Sequence, residues 1–541
     1  MNVKPLFQTN ESPTITEYLR RCGIDTPNEY LNISWVEDYG QYKQIESGVQ
    51  CLKKAIEDDG MIILICDSDC DGYCATTIAY QFLIDEGVDN ERIATFFHDG
   101  KQHGFSKDIL TQINFIINRT EVSLIWMPDA GTNDNEAHAF YEHCYGIPIL
   151  ITDHHQLNHT GGLSENAIII NNQTSDGVTN KYLCGAGVTH KLITAYCTKH
   201  NSNFHQTVID LVALATIGDV MDIRNMENRT IIRWGLKHIR NPFFKAMCEE
   251  FISDEVTPTS VAWNIVPKIN AVCRMGNADM KLSLFIAFCV GGLNIEHTIS
   301  NIKKCHSKQR EDVNTIYEQL LNDNSYIGNK VKIFVTQSTP YTGLIATKLS
   351  EHFNCPCMVV HEDDGEYTGS LRSPCEMRSK LQSSGLMTIC AGHEQACGVG
   401  WLVNDTDELS TYCEQLDLSP SDKVVMYSYD DVFIDPMVFD ITKQGASLWG
   451  TGIPEPTIHL KNITINGQYI KEIGANKTTI KFLYGDIEII GFFMSKEKKK
   501  SLHVGEDVNM SMEIIGTPSI NTFRDKDTKQ IVIKEWEVCL K

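Results

Sequence analysis

Four short apolar runs, each meeting an acidic or amide side chain within two residues, constrain this chain more than any other feature. Met61–Cys66 runs into Asp67, and Ser123–Met127 ends near Asp129. Ile147–Ile151 ends near Asp153, and Ala167–Ile170 meets Asn171 and Asn172. Such runs, separated by helical segments, predict buried strands of a parallel sheet, because a strand covered on both faces needs no polar alternation. Open α/β sheets bind ligands beyond the carboxyl ends of their strands. One Asp after a strand is ordinarily a turn residue or helix N-cap. Several delivered to one sheet edge need another explanation.

The fold class is therefore α/β, and the chain divides further. Residues 1–55 read as an N-terminal helical segment, closing on Ile45, Val49, Leu52 and Ile56 at helical spacing. Residues 56–284 hold the parallel-sheet domain. Within them, 208–223 predict a buried helix running into a turn, interrupted by Asp219 and Asp222. Residues 285–325 are polar and helical, a connecting helix. Residues 326–445 repeat an α/β pattern, with strands at 332–336 and 358–360 and a helix at 344–353. Residues 446–541 are rich in short strands with turn signals, which predicts a small β-barrel.

A chain of 541 residues is too long for one core, in keeping with several domains. Its net charge of −23 would repel nucleic acid in bulk. Polyanion binding then needs local basic patches, such as 496–500, or metal ions that invert the local field. No apolar run of membrane-spanning length and no secretion signal is visible, so the expected location is the cytoplasm. The 19 cysteines then read as reduced thiols. Cys355 and Cys357, like Cys66 and Cys70, lack a second ligand pair at zinc spacing. His138, His143 and His159 read as ordinary surface or core histidines.

The chemistry sits in four motifs. The first is Asp67-Ser68-Asp69-Cys70-Asp71-Gly72. An EF-hand opens similarly, but it needs a preceding helix and a Glu at position twelve; here a strand precedes, and position twelve is Ile78. Alternating Asp residues instead point two carboxylates to one side, with Gly72 easing the turn into a helix. The second motif is Pro128-Asp129-Ala130-Gly131, and the third is Thr152-Asp153-His154-His155. The fourth is Gly218-Asp219-Val220-Met221-Asp222. Carboxylates outnumber histidines, which favours Mn²⁺ or Mg²⁺ over zinc and allows a carboxylate to bridge two ions.

Taken in order, DSDCDG, PDAG, TDHH and TIGDVMD resemble the motifs of the DHH phosphoesterase superfamily, and within it the RecJ-like single-stranded-DNA-specific exonucleases. Further segments carry the resemblance across nearly the whole chain. Residues 102–106 resemble the family's G-Y-G-L-S, and 267–275 its P-R-I-N-A-A-G-R-M. Residues 369–373 and 391–398 resemble G-S-x-R-S and G-G-H-x-x-A-A-G of the DHH-associated domain. The stretch 516–538, with Asn521, Phe523 and Arg524, resembles the family's OB-fold. The resemblance implies a DHH domain and a DHH-associated domain joined by a long helix, with an OB-like domain at the end. It makes Asp69, Asp71, Asp129, His154 and Asp219 the metal ligands, Asp129 bridging two divalent ions. Asp67 and Asp153 become accessory groups, and His155 a phosphate contact or proton-transfer group. Arg274, Ser370, Arg372 and His393 become contacts to substrate.

The implied activity is hydrolysis of single-stranded DNA, 5′ to 3′, to mononucleotides by a two-metal mechanism, in recombination, repair or replication. Single-stranded DNA is the expected partner, a single-strand-binding protein a further one, and the chain is expected to be monomeric. Where the family has an Arg before its G-Y-G segment, this chain has His98, with Lys101 nearby as a substitute. That departure bears on recognition of the 5′ end. Cys273, Cys397 and Ala391 also replace the family's smaller residues. Two other readings follow from the same fold: a catalytically silent adaptor in a replication complex, or a phosphodiesterase for oligoribonucleotides or cyclic dinucleotides. Loss of metal ligands would mark the first, and absence of the OB-like tail the second; neither is seen in the sequence.

Overall fold

Continuous apolar runs become buried strands where both sheet faces are covered. The computed structural model describes every residue except 158–161, 293–294, 324, 338–339, 419–422, 431–433, 475–476, 493, 495, 524–525 and 541. Arg524 and His159 thus lie outside the described residues. The chain forms two units. One comprises Met1–Phe96, Leu110–Val266 and Asp422–Lys541, the other Phe97–Ile109 and Pro267–Ser421.

The first unit is built on five strands: β1 (Met61–Cys66), β2 (Ile93–Phe97), β3 (Val122–Pro128), β4 (Ile149–Asp153) and β5 (Ile168–Asn171). Their order is β2-β1-β3-β4-β5, and the β1–β3, β3–β4 and β4–β5 pairs are parallel. Ile62 to Ile65, Leu124 to Met127 and Leu150 to Ile151 have no exposed surface. Four of these strands carry the continuous apolar run that predicts them; β2 does not, and its residues Ile-Ala-Thr-Phe-Phe are all only partly buried. In a 2-1-3-4-5 sheet the chain turns opposite ways on leaving β1 and β3. The crevice beyond those two strand ends is the switch point where ligands bind in such folds.

Helices α1 (Ile45–Glu57), α2 (Cys70–Asp85), α3 (Gly185–His200) and α4 (Ile209–Gly218) accompany the sheet. On α1, Ile45, Val49 and Leu52 are buried as their spacing predicts, while Ala55 replaces Ile56 as the last buried position. Buried hydroxyls tie strands to helix: Trp126 Nε1 donates to Thr152 Oγ1 at 3.1 Å, and Thr152 Oγ1 lies 2.7 Å from Thr189 Oγ1 on α3.

The same unit holds a seven-stranded sheet ordered Tyr427–Tyr429, Ile458–Asn466, Asn509–Phe523, Lys526–Leu540, Ile487–Gly491, Thr479–Tyr484, Lys471–Ile473. Register shifts at Leu460/Ile463 and Ile515/Gly516 bend its long strands. The sequence reading starts this domain at 446, but the sheet recruits Tyr427–Tyr429. The N-terminal segment, partly helical as its sequence reads, also contributes Val3–Pro5, which pairs with Lys423–Val425. A short apolar stretch such as 424–427 carries no local sign of which sheet it will join.

In the second unit, strands Met387–His393, Ala396–Leu402, Glu366–Arg372, Cys357–Asp363 and Lys332–Val335 lie in that order. The connecting helix spans Ile295–Asp323, starting later than the predicted 285 because 278–290 form a separate helix. Its Val313 and Leu320 pack with Phe334, Ile345 and Leu349. Among the described residues, no helix is long and apolar enough to cross a membrane, and the 18 cysteines whose side chains are described are free thiols.

Candidate metal centre

The switch point gathers carboxylates that the chain elsewhere would expose. Asp67 and Asp71 are 1% exposed, Asp129 2% and Asp153 0%. The ends of β1, β3 and β4 supply Asp67, Asp129 and Asp153, while the C-terminus of α4 supplies Asp219 as its C-cap. Asp69 is the N-cap of α2, accepting from the Asp71 and Gly72 amides at 3.0 and 3.2 Å. That bend turns Asp71 toward the start of α3, where the Gly185 and Ala186 amides donate to its two oxygens at 2.7 and 2.9 Å. A helix N-terminus favours a carboxylate.

His154 Nε2 lies 3.4 Å from Asp129 Oδ1, 3.4 Å from Asp219 Oδ2 and 4.0 Å from Asp71 Oδ2. Three sets have ligand-capable atoms within 4.8 Å of one another: Asp129, His154 and His155; Asp71, His154 and Asp219; and Asp67, Asp69 and Asp129. Asp129 is common to two of them. The structure thus brings together all five ligands expected from the sequence. It also places Asp67 among the ligand-capable oxygens rather than behind them.

Asp129 itself sits in the left-handed region at φ 72°, where a non-glycine residue is strained. Its amide donates to Thr152 O at 2.7 Å. Its buried Oδ1 has no hydrogen-bond partner. A Cβ on Gly185 would come 2.0 Å from that oxygen, so only glycine leaves room at the start of α3.

Burial pushes Asp71 up to about 6, with the Asp219 charge adding to the shift. Burial also raises Asp129 well above an ordinary carboxylate, helped by Asp71, Asp69 and Asp67. His154 moves the other way: burial, then the charge of His155, keeps its imidazole neutral. Buried carboxylates held this close are costly unless a cation compensates them. A divalent ion fits that need: oxygen donors, one neutral imidazole, and an Asp129 oxygen no protein donor satisfies.

Asp153 and His155 form a different pair. Asp153 Oδ1 accepts from the His154 and His155 amides at 2.7 and 3.1 Å and lies 2.7 Å from His155 Nδ1, and Oδ2 accepts from Thr132 N at 3.0 Å. Burial works against its charge, but His155 and these donors hold the carboxyl far below the usual range. Partial desolvation opposes protonation of His155, and the Asp153 charge overrides it, lifting His155 to about 10. His155 is exposed, so a cationic imidazole faces solvent beside a neutral one. Asn171 completes the turn, donating to Thr132 Oγ1 and His155 O, both at 2.9 Å. The sequence motifs do not assign a role to Thr132, Asn171, Gly185 or Ala186. Of these, only Asn171 carried a local signal, as the polar end of β5.

The substrate-side candidates all belong to the second unit. Ser370 and Arg372 alternate along one strand, so they share a face. Arg372 pairs with Ala396, which pairs with His393, so His393 lies in the same row two strands away. Ser370 Oγ is 3.0 Å from Thr342 Oγ1, at the start of helix Thr342–Phe353. A Cβ on Gly343 would come 2.9 Å from Arg372 Nη2 and 3.5 Å from Ser370 Oγ. Burial lowers the Arg372 pKa, and Arg274 is among the charges it feels. A guanidinium, a hydroxyl pair and a helix start thus lie close together, with Thr342 and Gly343 unforeseen. His98 is not displayed: it is 2% exposed, its Nδ1 is 3.2 Å from Ser106 Oγ, and its carbonyl accepts from buried Lys281 at 2.7 Å. Lys101 is exposed.

Residues 61–216 match the DHH family, N-terminal domain, and 435–535 match the RecJ OB domain. A Bacillus phage SPbeta protein, provisionally named a single-strand DNA-specific exonuclease, is 27% identical over 96% of this chain and 95% of its own. The single-stranded-DNA-specific exonuclease RecJ of Bacillus subtilis is 23% identical over 98% of this chain and 69% of its own. The fold is similar to that of Thermus thermophilus RecJ, crystallised with Mn²⁺, at a TM-score of 0.76 and 16% identity. That match covers 99% of this chain and 78% of the Thermus chain. The same protein crystallised with Mg²⁺ matches at a TM-score of 0.70.

Proposed function

The chain belongs to the RecJ-like proteins of the DHH family, with a DHH domain at 61–216 and a RecJ OB domain at 435–535, and from that premise we propose that it is a metal-dependent exonuclease of single-stranded DNA. It degrades strands 5′ to 3′ and releases mononucleotides. The observation that carries this reading is the acidic cluster at the sheet switch point, with the partnerless buried oxygen of Asp129 at its centre. Asp69, Asp71, Asp129, His154 and Asp219 would hold divalent ions, two Mn²⁺ or Mg²⁺ in this reading, and Asp67 lies among the oxygens that could join them. When bound, such ions supply Lewis-acid stabilisation of phosphoryl oxygens and a nucleophile from water at neutral pH.

The remaining roles follow from the side chains. Asp153 fixes the His155 ring and keeps it cationic, so His155 suits a phosphate oxygen or donates a proton at Nε2 to the departing oxygen. Gly185 and Ala186 orient Asp71, and Gly185 leaves Asp129 its space. Ser370, Arg372 and Gly343 hold a substrate phosphate, with Arg274 and His393 as neighbours. Lys101 is exposed where His98 is buried, so Lys101 is the better placed of the two to meet a strand end. The pathway implied is recombination, repair or replication, and the site lies in a protein of the cytoplasm.

The test is hydrolysis of single-stranded DNA labelled at the 5′ or 3′ end, beside duplex DNA, short RNA and a cyclic dinucleotide, with Mn²⁺. The reading expects single strands to be cut from the 5′ end and Asp129→Ala to abolish cutting. Preference for RNA or cyclic dinucleotides, or retained hydrolysis in the variant, would overturn it.

A further inference from the structure

Helix Met226–Lys237 carries Arg229, Arg233 and Lys237 at four-residue spacing, which puts three cations on one face. That face borders a cavity of about 370 Å³, lined also by Leu236, Val256 and Glu255. None of its residues belongs to the acidic cluster. Arg229 is 5% exposed. Its Nη1 donates to Ser447 O at 2.7 Å, and its guanidinium carbon lies 5.7 Å from the Tyr30 ring centroid. Its buried Nε has no hydrogen-bond partner. Arg233 donates to the Ile33 carbonyl at 3.0 Å. Among the described residues, none of the three cations forms an ion pair; Glu255 borders the cavity without reaching one.

In a chain of net charge −23, three unneutralised cations around one cavity are out of character. A buried guanidinium without a counter-charge is costly. An anion in the cavity would offset that cost. Guanidinium forks match phosphate geometry, and a third cation suits a doubly charged group. The apolar part of the wall suits a ligand that is not merely an ion, and the volume lies in the range of small-molecule sites. We propose that this cavity binds a phosphate monoester carrying a ring or apolar body, at a site distinct from the metal centre.

The test is calorimetric titration of the full chain in EDTA with dAMP and with inorganic phosphate. Wild type, Asp129→Ala and the double variant Arg233→Gln/Lys237→Gln are compared. One site is expected in wild type and Asp129→Ala alike, tighter for dAMP than for phosphate. The double variant should bind dAMP at least roughly tenfold more weakly. Lys237→Gln alone, at an exposed position, should weaken binding in the same direction without disturbing the fold. Absence of saturable dAMP binding up to about 10 mM, or equal affinity in wild type and Lys237→Gln, would overturn the site. Loss of binding in Asp129→Ala would reassign the ligand to the metal centre. Equal affinity for dAMP and phosphate would remove the role of the apolar wall.

Discussion

Asp129 concentrates the tension of the site. It combines a left-handed backbone, a buried carboxyl and an oxygen without a hydrogen-bond partner. In the metal-free protein its charge is opposed by burial and then by Asp71, Asp69, Asp67 and Asp219. Asp129→Asn should therefore stabilise the metal-free chain at pH 8 by about 1–3 kcal/mol while abolishing hydrolysis. Urea midpoints in EDTA check this, and a lower midpoint would contradict it. Gly185 is the complementary position. A methyl group there would meet Asp129 Oδ1 at 2.0 Å, so Gly185→Ala should cut activity by about a hundredfold through ligand displacement. Unchanged kcat with unchanged Mn²⁺ affinity would show that the cradle does not matter. The clustering of the candidate ligands is legible in the sequence because short motifs with fixed spacing bring them in. Gly185, Ala186, Thr132 and Gly343 are not, because they act through backbone amides or through the lack of a side chain. Such roles become visible only once the partner is in place.

Among the elements, α3 is held by a buried ion network. Its Lys191 donates to Glu227 and to the Glu37 carbonyl. Glu227 also accepts from Glu37 N at 3.0 Å and Asn180 Nδ2 at 2.9 Å, while Glu37 accepts from Thr179 N and Asn180 N at 2.6 and 3.2 Å. This ties the N-terminal segment and the loop before α3 to the helix whose start holds Asp71. Lys191→Met would strand the fully buried Glu227 carboxylate and should cost about 3–5 kcal/mol. Adding Glu227→Gln should recover part of that loss; a single variant as stable as wild type would show that the network carries no weight. The strands β1, β3, β4 and β5 were readable because each is covered on both faces and so has a continuous apolar run. Strand β2, only partly buried, gave no such run. The pairing of Val3–Pro5 with Lys423–Val425 depends on distant partners, and no local pattern announces it.

For the whole molecule, metal and proton compete for the same oxygens. Asp71 titrates near 6 in the folded, metal-free chain, above the value near 3.9 of an unfolded Asp. Its proton therefore stabilises the fold at low pH, and that contribution is lost as pH rises through about 6. A divalent ion replaces the proton, so the rise in Tm on adding Mn²⁺ should be larger at pH 8 than at pH 6. A pH-independent rise would place the ion elsewhere. The domain plan was legible in outline, since each α/β pattern and the strand-rich tail has its own periodicity. The exact boundaries were not, because 427–429 and 285–290 join neighbours chosen by tertiary packing. The most direct test of the metal centre is anomalous diffraction at the manganese edge from crystals of the chain grown with Mn²⁺. Two peaks are expected about 3.5–4 Å apart, both within bonding distance of Asp129 and one beside His154. A single peak, or peaks away from Asp129, would contradict the two-ion centre.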